Sequence, residues 1–177
     1  MENLIKIQTE YARTQKRGLH FIMASVVIWG LVAIIQATRL PIETKNLLTF
    51  CCTCPLMPLA WAFSKLIKVT FSDKEHPLST LGIILSCAQI PYLLIVMWCF
   101  NAVPDKMVML LAMVFGAHLL PFGWFYRSKT YYFMSALITI GALIVGIMFS
   151  PLVLSITMMI TEILFCLLLY FENRKSK

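Results

Sequence analysis

Long apolar runs separated by short polar stretches dominate the chain from residue 19 onward. A membrane-spanning helix needs about 20 predominantly apolar residues. Six segments have this length and character: Leu19–Gln36, Leu47–Leu66, Leu81–Phe100, Met107–Tyr126, Tyr131–Phe149 and Leu152–Phe171. The pattern therefore predicts an all-α fold, a polytopic integral membrane helix bundle with six transmembrane helices.

The two ends of the chain differ from this apolar body. Residues 1–18 combine apolar and basic side chains, which predicts a cytoplasmic interfacial segment, a short helix on the inner leaflet. Residues 19–171 form the predicted six-helix transmembrane domain, and residues 172–177 form a basic cytoplasmic tail. The first apolar run is longer than the core of a signal peptide, so no cleavage is expected.

The distribution of Lys and Arg predicts the orientation of the bundle. Twelve of the 15 basic residues lie in the N-terminal tail, the second and fourth loops and the C-terminal tail. The other three loops hold Arg39, Lys45 and Lys106. Because cytoplasmic loops carry the excess of Lys and Arg, we expect both termini in the cytoplasm and the protein in the plasma membrane.

Composition agrees with a bilayer location and narrows the class of partner. Hydrophobic residues make up 60 % of the chain and charged residues 13 %, whereas a soluble domain is about 45–50 % apolar. Mean hydropathy is +0.83. The net charge of +7 comes from the loop bias, and a nucleic-acid partner would require a basic face on a soluble domain. Membrane lipid is therefore an expected partner and nucleic acid is not.

The six cysteines lie within or at the edges of the predicted spans. Extracellular disulfide frameworks need cysteines in loops, so none is expected. Cys51, Cys52 and Cys54 resemble a metal or redox cluster, but adjacent residues on a helix point about 100° apart. Three sulfurs converge on one ion only if the helix is broken. We expect a packing role with no metal and no cofactor; a soft-metal or redox role is the alternative.

Two segments of the chain repeat each other. A shift of 63 residues places "LMPLAWAF" (56–63) over "LLPFGWFY" (119–126), with Pro58 over Pro121. Both prolines are expected to interrupt their helices one turn earlier, because proline cannot donate the backbone hydrogen bond. This repeat is compatible with an arrangement of the six spans as three tandem helical hairpins. Prolines at turns and interfacial tryptophans are common in any membrane protein, so an internal duplication of hairpins is one of two explanations that stay open.

Polar side chains occur at similar depth in three spans. A rise of about 1.5 Å per residue places Gln89, His118 and Glu162 near the bilayer midplane. An ionised carboxylate there costs about 2.5 kcal/mol or more. Glu162 is therefore expected to face the bundle interior, to be protonated or to be paired, and His118 is the titratable nitrogen at matching depth.

Three further side chains at helical spacing extend this polar set. Together they predict a ligand-binding site for a small solute, a proton or a lipid, made of Gln89, His118, Glu162, Tyr92, Phe122 and Ser155. The alternative is a buried hydrogen-bond network that only holds helices together. No catalytic residue and no metal ligand is assigned.

The segments "GAHLLPFGWFYRSKTYY" and "AQIPYLLIVMWCF" resemble an uncharacterised family of small bacterial multi-pass membrane proteins, a domain of unknown function. The resemblance covers most of the chain from Arg17 onward. Its distinctive part is a GAHxxPxxWxY motif formed by Gly116, Ala117, His118, Pro121, Trp124 and Tyr126. The resemblance implies a bacterial plasma-membrane protein and no particular chemistry.

Three function classes fit these features. The first, which we prefer, is binding or transport of a small solute, a proton or a lipid through the midplane site, and the small size of the chain favours a homodimer for it. The second is an accessory or immunity-type protein that binds another membrane protein. The third is a membrane-embedded lipid-modifying enzyme with Glu162 or His118 as general acid or base.

Overall fold

The structure is a computed structural model, in which residues 2–71 and 76–175 are described. Every regular element within these ranges is helical. Short 3-10 turns at Lys16–Gly18 and Pro104–Lys106 precede the second and seventh helices. The α-helices are α1 (Glu2–Thr14), α2 (Leu19–Ala37), α3 (Ile42–Cys51), α4 (Leu56–Leu66), α5 (Ser79–Cys87), α6 (Gln89–Ala102), α7 (Met107–His118), α8 (Leu120–Phe125), α9 (Lys129–Met148) and α10 (Pro151–Lys175).

The described helices supply five segments that are long and apolar enough to cross a membrane. Three of them are α2, α9 and α10, and the other two are α5 with α6 and the Pro104–Phe125 segment that contains α7 and α8. The pair α3 and α4, bent by 44°, is a sixth candidate. The predicted all-helical bundle is confirmed, and the helix lengths are compatible with six spans.

Each interruption inside a predicted span lies within about one turn of a proline. The chain leaves the helix between α3 and α4, at Ala88 and at Leu119, whereas Pro58, Pro91 and Pro121 follow. Proline has no backbone N–H to bond the carbonyl four residues earlier, and its ring clashes with that carbonyl. Interruptions before Pro58 and Pro121 are present as predicted, although the second lies two residues and not one full turn before its proline. Pro91 adds a third.

Neighbouring spans pack as antiparallel pairs. α2 packs along α10 and α4, α7 packs along α9 and α6, and α9 also contacts α10. The side chains at the centre of these contacts are fully buried, among them Met107, Met134 and Phe165. Only 11 % of the most apolar window of Ser79–Ala102 is buried, against 56 % for Lys16–Ala37, so α5 and α6 lie at the edge of the bundle.

A polar cluster joins the two ends of the chain. Arg17 Nη1 donates to Asn173 Oδ1 at 2.6 Å, and Arg17 Nε lies 3.7 Å from Glu172 Oε1. Tyr131 donates to the Arg17 carbonyl at 2.8 Å, and Ser128 donates to Glu172 Oε2 at 2.7 Å. The start of α2 and the end of α10 therefore lie at the same end of the bundle, which we call the terminal face.

Helix α1 lies against the terminal face through one side only. Gln8, Tyr11 and Ala12 are buried, whereas Leu4 and Ile5 are exposed. The Tyr11 ring packs against the Phe125 ring of α8 at 5.4 Å. Exposed apolar side chains next to basic ones are what an interfacial helix needs; that α1 lies on a membrane stays a prediction.

Labelling of single cysteines tests the predicted orientation. In a variant without the native cysteines, Glu43→Cys and Asp105→Cys are expected to react with a membrane-impermeant maleimide outside intact cells, and Lys129→Cys is not. All three side chains are exposed. Lys129 represents the cytoplasmic loops because its neighbour Ser128 is fully buried and Asp73 of the second loop lies outside the described residues. Outside labelling of position 129 alone would mean that the orientation is reversed.

Candidate functional site

Glu162 occupies the interior of the bundle between α10 and α2. Its side chain is 0 % exposed, as the cost of a lipid-facing carboxylate requires. Ser25 Oγ on α2 lies 2.5 Å from Glu162 Oε2 and 2.8 Å from the carbonyl oxygen of Ile22. The other carboxyl oxygen, Oε1, is buried and has no hydrogen-bond partner among the described residues. A carboxyl group with one partner and one unused acceptor therefore lies where two major helices meet.

His118 ends α7 and belongs to an aromatic cluster. The imidazole is 8 % exposed, and its ring lies edge-on to Phe122 at 5.3 Å. Phe122 in turn contacts the rings of Tyr126 and Tyr131, at 6.0 and 6.1 Å. No hydrogen bond of His118 is present in the described ranges. His118 and Phe122 are therefore in contact. The hydrogen-bond partner of Glu162 is Ser25 and not His118.

The other predicted site residues occupy separate positions. Ser155 is fully buried on α10, and its hydroxyl donates to the Pro151 carbonyl at 2.8 Å. Gln89 is half-buried at the start of α6, and Tyr92 is 45 % exposed one turn later. α6 packs against α7, whereas α10 packs mainly against α2 and α9. Within residues 2–71 and 76–175, no hydrogen bond joins Gln89, His118 and Glu162.

Comparison with known families places the chain in a group without an assigned activity. A family model described as a family of unknown function, DUF7010, matches residues 4–172. The chain belongs to DUF7010. No curated protein and no solved structure matches it significantly. Resemblance to a family of unknown function is thereby confirmed, whereas the bacterial origin and the GAHxxPxxWxY signature stay predictions.

The buried polar residues of this DUF7010 chain include two in α2 that were not assigned to the predicted site. One is Ser25, whose hydroxyl is the hydrogen-bond partner of Glu162. The other is His20, which is 1 % exposed, packs against Phe21 and Phe71, and has no partner for either ring nitrogen among the described residues. Their polarity inside an otherwise apolar first span was the available signal.

The cysteine cluster of the DUF7010 chain lies where α3 passes into α4. Cys51 and Cys54 are exposed, Cys52 is half-buried, and all three are free thiols. The helix is broken at this point, which is the condition under which the sulfurs were expected to converge. Across the part of the chain that the structure describes, no three His, Cys, Asp or Glu side chains are placed to hold a metal ion.

The open grooves on the described part of the bundle include one beside α2 and α10 and one at the terminal face. The larger, of about 620 Å³, faces outward between α2 and α10 and is lined by apolar side chains that include Leu31 and Met159. The smaller, of about 280 Å³, lies at the terminal face beside Trp124, Arg127 and Lys129. Glu162 lines neither groove.

Proposed function

We propose that this protein binds a proton at Glu162 and that the protonation of this carboxyl group changes the contact between α2 and α10. The observation that carries this function is the completely buried carboxyl group with a single hydrogen-bond partner, Ser25. An ionisable residue inside a membrane bundle is by default a functional candidate, because its burial is costly. A proton-linked transporter or sensor is the corresponding function class.

The hydrogen bonds around Ser25 support two states of the pair. A serine hydroxyl has one hydrogen to donate, yet Ser25 Oγ lies within hydrogen-bond distance of both the Ile22 carbonyl and Glu162 Oε2. If Glu162 is protonated, its O–H donates to Ser25 and Ser25 donates to Ile22. If Glu162 is ionised, Ser25 has to donate to the carboxylate and leaves the Ile22 carbonyl. Gain or loss of one proton therefore rearranges hydrogen bonds on both helices.

The surroundings of Glu162 favour a proton over a larger cation or solute. No Lys, Arg or His side chain forms an ion pair with Glu162 in the described residues; the salt bridge found there joins Arg17 to Glu172. A buried, unpaired carboxylate is strongly disfavoured and is neutralised most simply by protonation. A proton also needs no cavity of its own, and the Glu162 side chain has no exposed surface.

Infrared difference spectroscopy during a pH titration in lipid nanodiscs tests proton binding. The wild-type chain is expected to gain and lose one carboxylic acid band that E162Q lacks, because glutamine keeps the shape and hydrogen bonding but cannot titrate. E43Q, which removes an exposed carboxyl group, is the matched control and retains that band. Identical titration difference spectra for the wild type and E162Q would contradict proton binding at Glu162.

The two other function classes give different results with the same variants. An accessory protein that binds another membrane protein needs no titrating interior group, so E162Q would match the wild type. An enzyme that uses Glu162 as general acid or base would also show the band. Transport is separated from catalysis in sealed vesicles with an imposed pH gradient, which a proton-conducting wild type dissipates and E162Q does not.

A further inference from the structure

The smaller groove lies where the chain turns from α8 into α9. Its sides are formed by α8, the turn and the first residues of α9, and α1 contributes Gln8. Gln8 Nε2 donates to the Trp124 carbonyl at 3.3 Å, which joins α1 to the groove. Gly123 lies on its wall, where a Cβ atom would come within 2.7 Å of the Tyr132 ring. Glycine at this position therefore allows Tyr132 to pack closely against α8.

The groove is lined by positive charge without a matching acid. Arg127 and Lys129 both line it and are both exposed. Neither side chain forms an ion pair or a side-chain hydrogen bond in the described residues, and no Asp or Glu is among the lining residues. Two cations without an ion-pair partner among the described residues, at one concave site, favour an anionic ligand.

The aromatic residues of the groove indicate its level in a membrane. Trp124 and Tyr132 line it, and both are about half exposed. Trp and Tyr are enriched at the headgroup level of membrane proteins. Leu120, one turn deeper than Trp124 in α8, and Phe133, the residue after Tyr132 in α9, present exposed apolar side chains. The surface thus changes from cationic to aromatic to apolar, in the order headgroup, interface and acyl chain.

We propose that this groove binds the headgroup of an anionic phospholipid, with Arg127 and Lys129 contacting the phosphate and Trp124 and Tyr132 contacting the glycerol region. Binding here is independent of Glu162, which lies in the bundle interior. The terminal face is the one predicted to lie on the cytoplasmic side, where anionic lipids are abundant.

The backbone conformation at Arg127 allows its charge to be removed without destabilising the fold. Arg127 has a left-handed φ of 49°, a conformation that glycine adopts at lower cost than other residues. R127G therefore removes the charge while relieving backbone strain, so a loss of binding cannot be attributed to a destabilised fold. Lys68, exposed after the end of α4 with a φ of 57°, is the same kind of residue outside the groove. K68G is the matched control.

Native mass spectrometry of the detergent-solubilised full chain, offered equal amounts of phosphatidylglycerol and phosphatidylcholine, tests lipid binding. The wild type is expected to retain phosphatidylglycerol preferentially. Because each cation near a membrane surface contributes about a fivefold factor, R127G is expected to weaken phosphatidylglycerol binding about fivefold, and R127G with K129Q about 25-fold. K68G is expected to leave phosphatidylglycerol binding unchanged. The melting temperatures of all these variants are expected to stay within a few degrees of that of the wild type.

Three results would overturn lipid binding at this groove. Equal losses in K68G and R127G would mean that net charge, not the groove, attracts the lipid. Equal retention of phosphatidylcholine would exclude recognition of an anionic headgroup. Competition by inorganic phosphate at the same concentration as the lipid would show a phosphate site that does not use the aromatic and apolar surfaces.

Discussion

G116A is expected to destabilise the bundle by about 1–3 kcal/mol, the usual cost of forcing an extra group into a packed core. A Cβ atom at Gly116 would lie 2.6 Å from Thr139 Oγ1 and 2.8 Å from the backbone nitrogen of Thr139. The second of these atoms belongs to the backbone of α9 and cannot move by a simple rotamer change. α7 and α9 would have to separate. Ser135, which donates to the Gly116 carbonyl at 2.8 Å, would then lose that hydrogen bond.

Thermal unfolding in detergent measures this effect, with G141A as the matched control. Gly141 lies in the middle of α9, and a Cβ atom there meets nothing within 4 Å. Alanine is a better helix former than glycine by about 0.5–1 kcal/mol, so G141A is expected to be neutral or slightly stabilising. Equal melting temperatures for G116A and the wild type would show that α7 and α9 are not in close contact at this point.

Gly116 illustrates which part of the fold a single sequence can give. The spans follow from apolar length, and their interruptions follow from proline, because both are local properties of the chain. The motif around His118 could be seen in the sequence, but the reason for its glycine could not. That reason is the approach of α9, whose contacting residues Ile138 and Thr139 lie more than twenty positions away.

The candidate site likewise combines features that follow from local sequence with contacts between residues far apart in the chain. Glu162 and Ser155, which helical spacing places on one face of the sixth span, are both fully buried on α10. The partner of Glu162 could not be predicted, because depth alone does not show how each helix is rotated about its axis. His118 has a similar predicted depth, but α7 directs its ring toward Phe122. Ser25, 137 positions before Glu162, is on the helix that α10 packs against most closely.

A double-mutant cycle between Ser25 and Glu162 is expected to show strong coupling. S25A removes the single partner of the carboxyl group, which leaves a buried polar group unsatisfied at a cost of about 1–3 kcal/mol. E162L removes that group, while Ser25 can still donate to the Ile22 carbonyl. S25A is therefore expected to be clearly destabilising in the wild type and nearly neutral in the E162L background.

The melting temperatures of the four chains, wild type, S25A, E162L and the double variant, measure the coupling in detergent or nanodiscs. Hydrogen bonds between membrane helices average about 0.6 kcal/mol and reach about 1.7 kcal/mol; the unsatisfied carboxyl group should bring this pair to the upper part of that range. H118L combined with E162L is the control cycle, and its two effects should add to within about 0.5 kcal/mol because no hydrogen bond joins the residues. Additive effects for Ser25 and Glu162 would mean that these two side chains do not interact. Coupling confined to His118 would mean that the carboxyl group faces α7 and not α2. The proton-linked contact between α2 and α10 would then lose its basis, since Ser25 could not respond to the charge of Glu162.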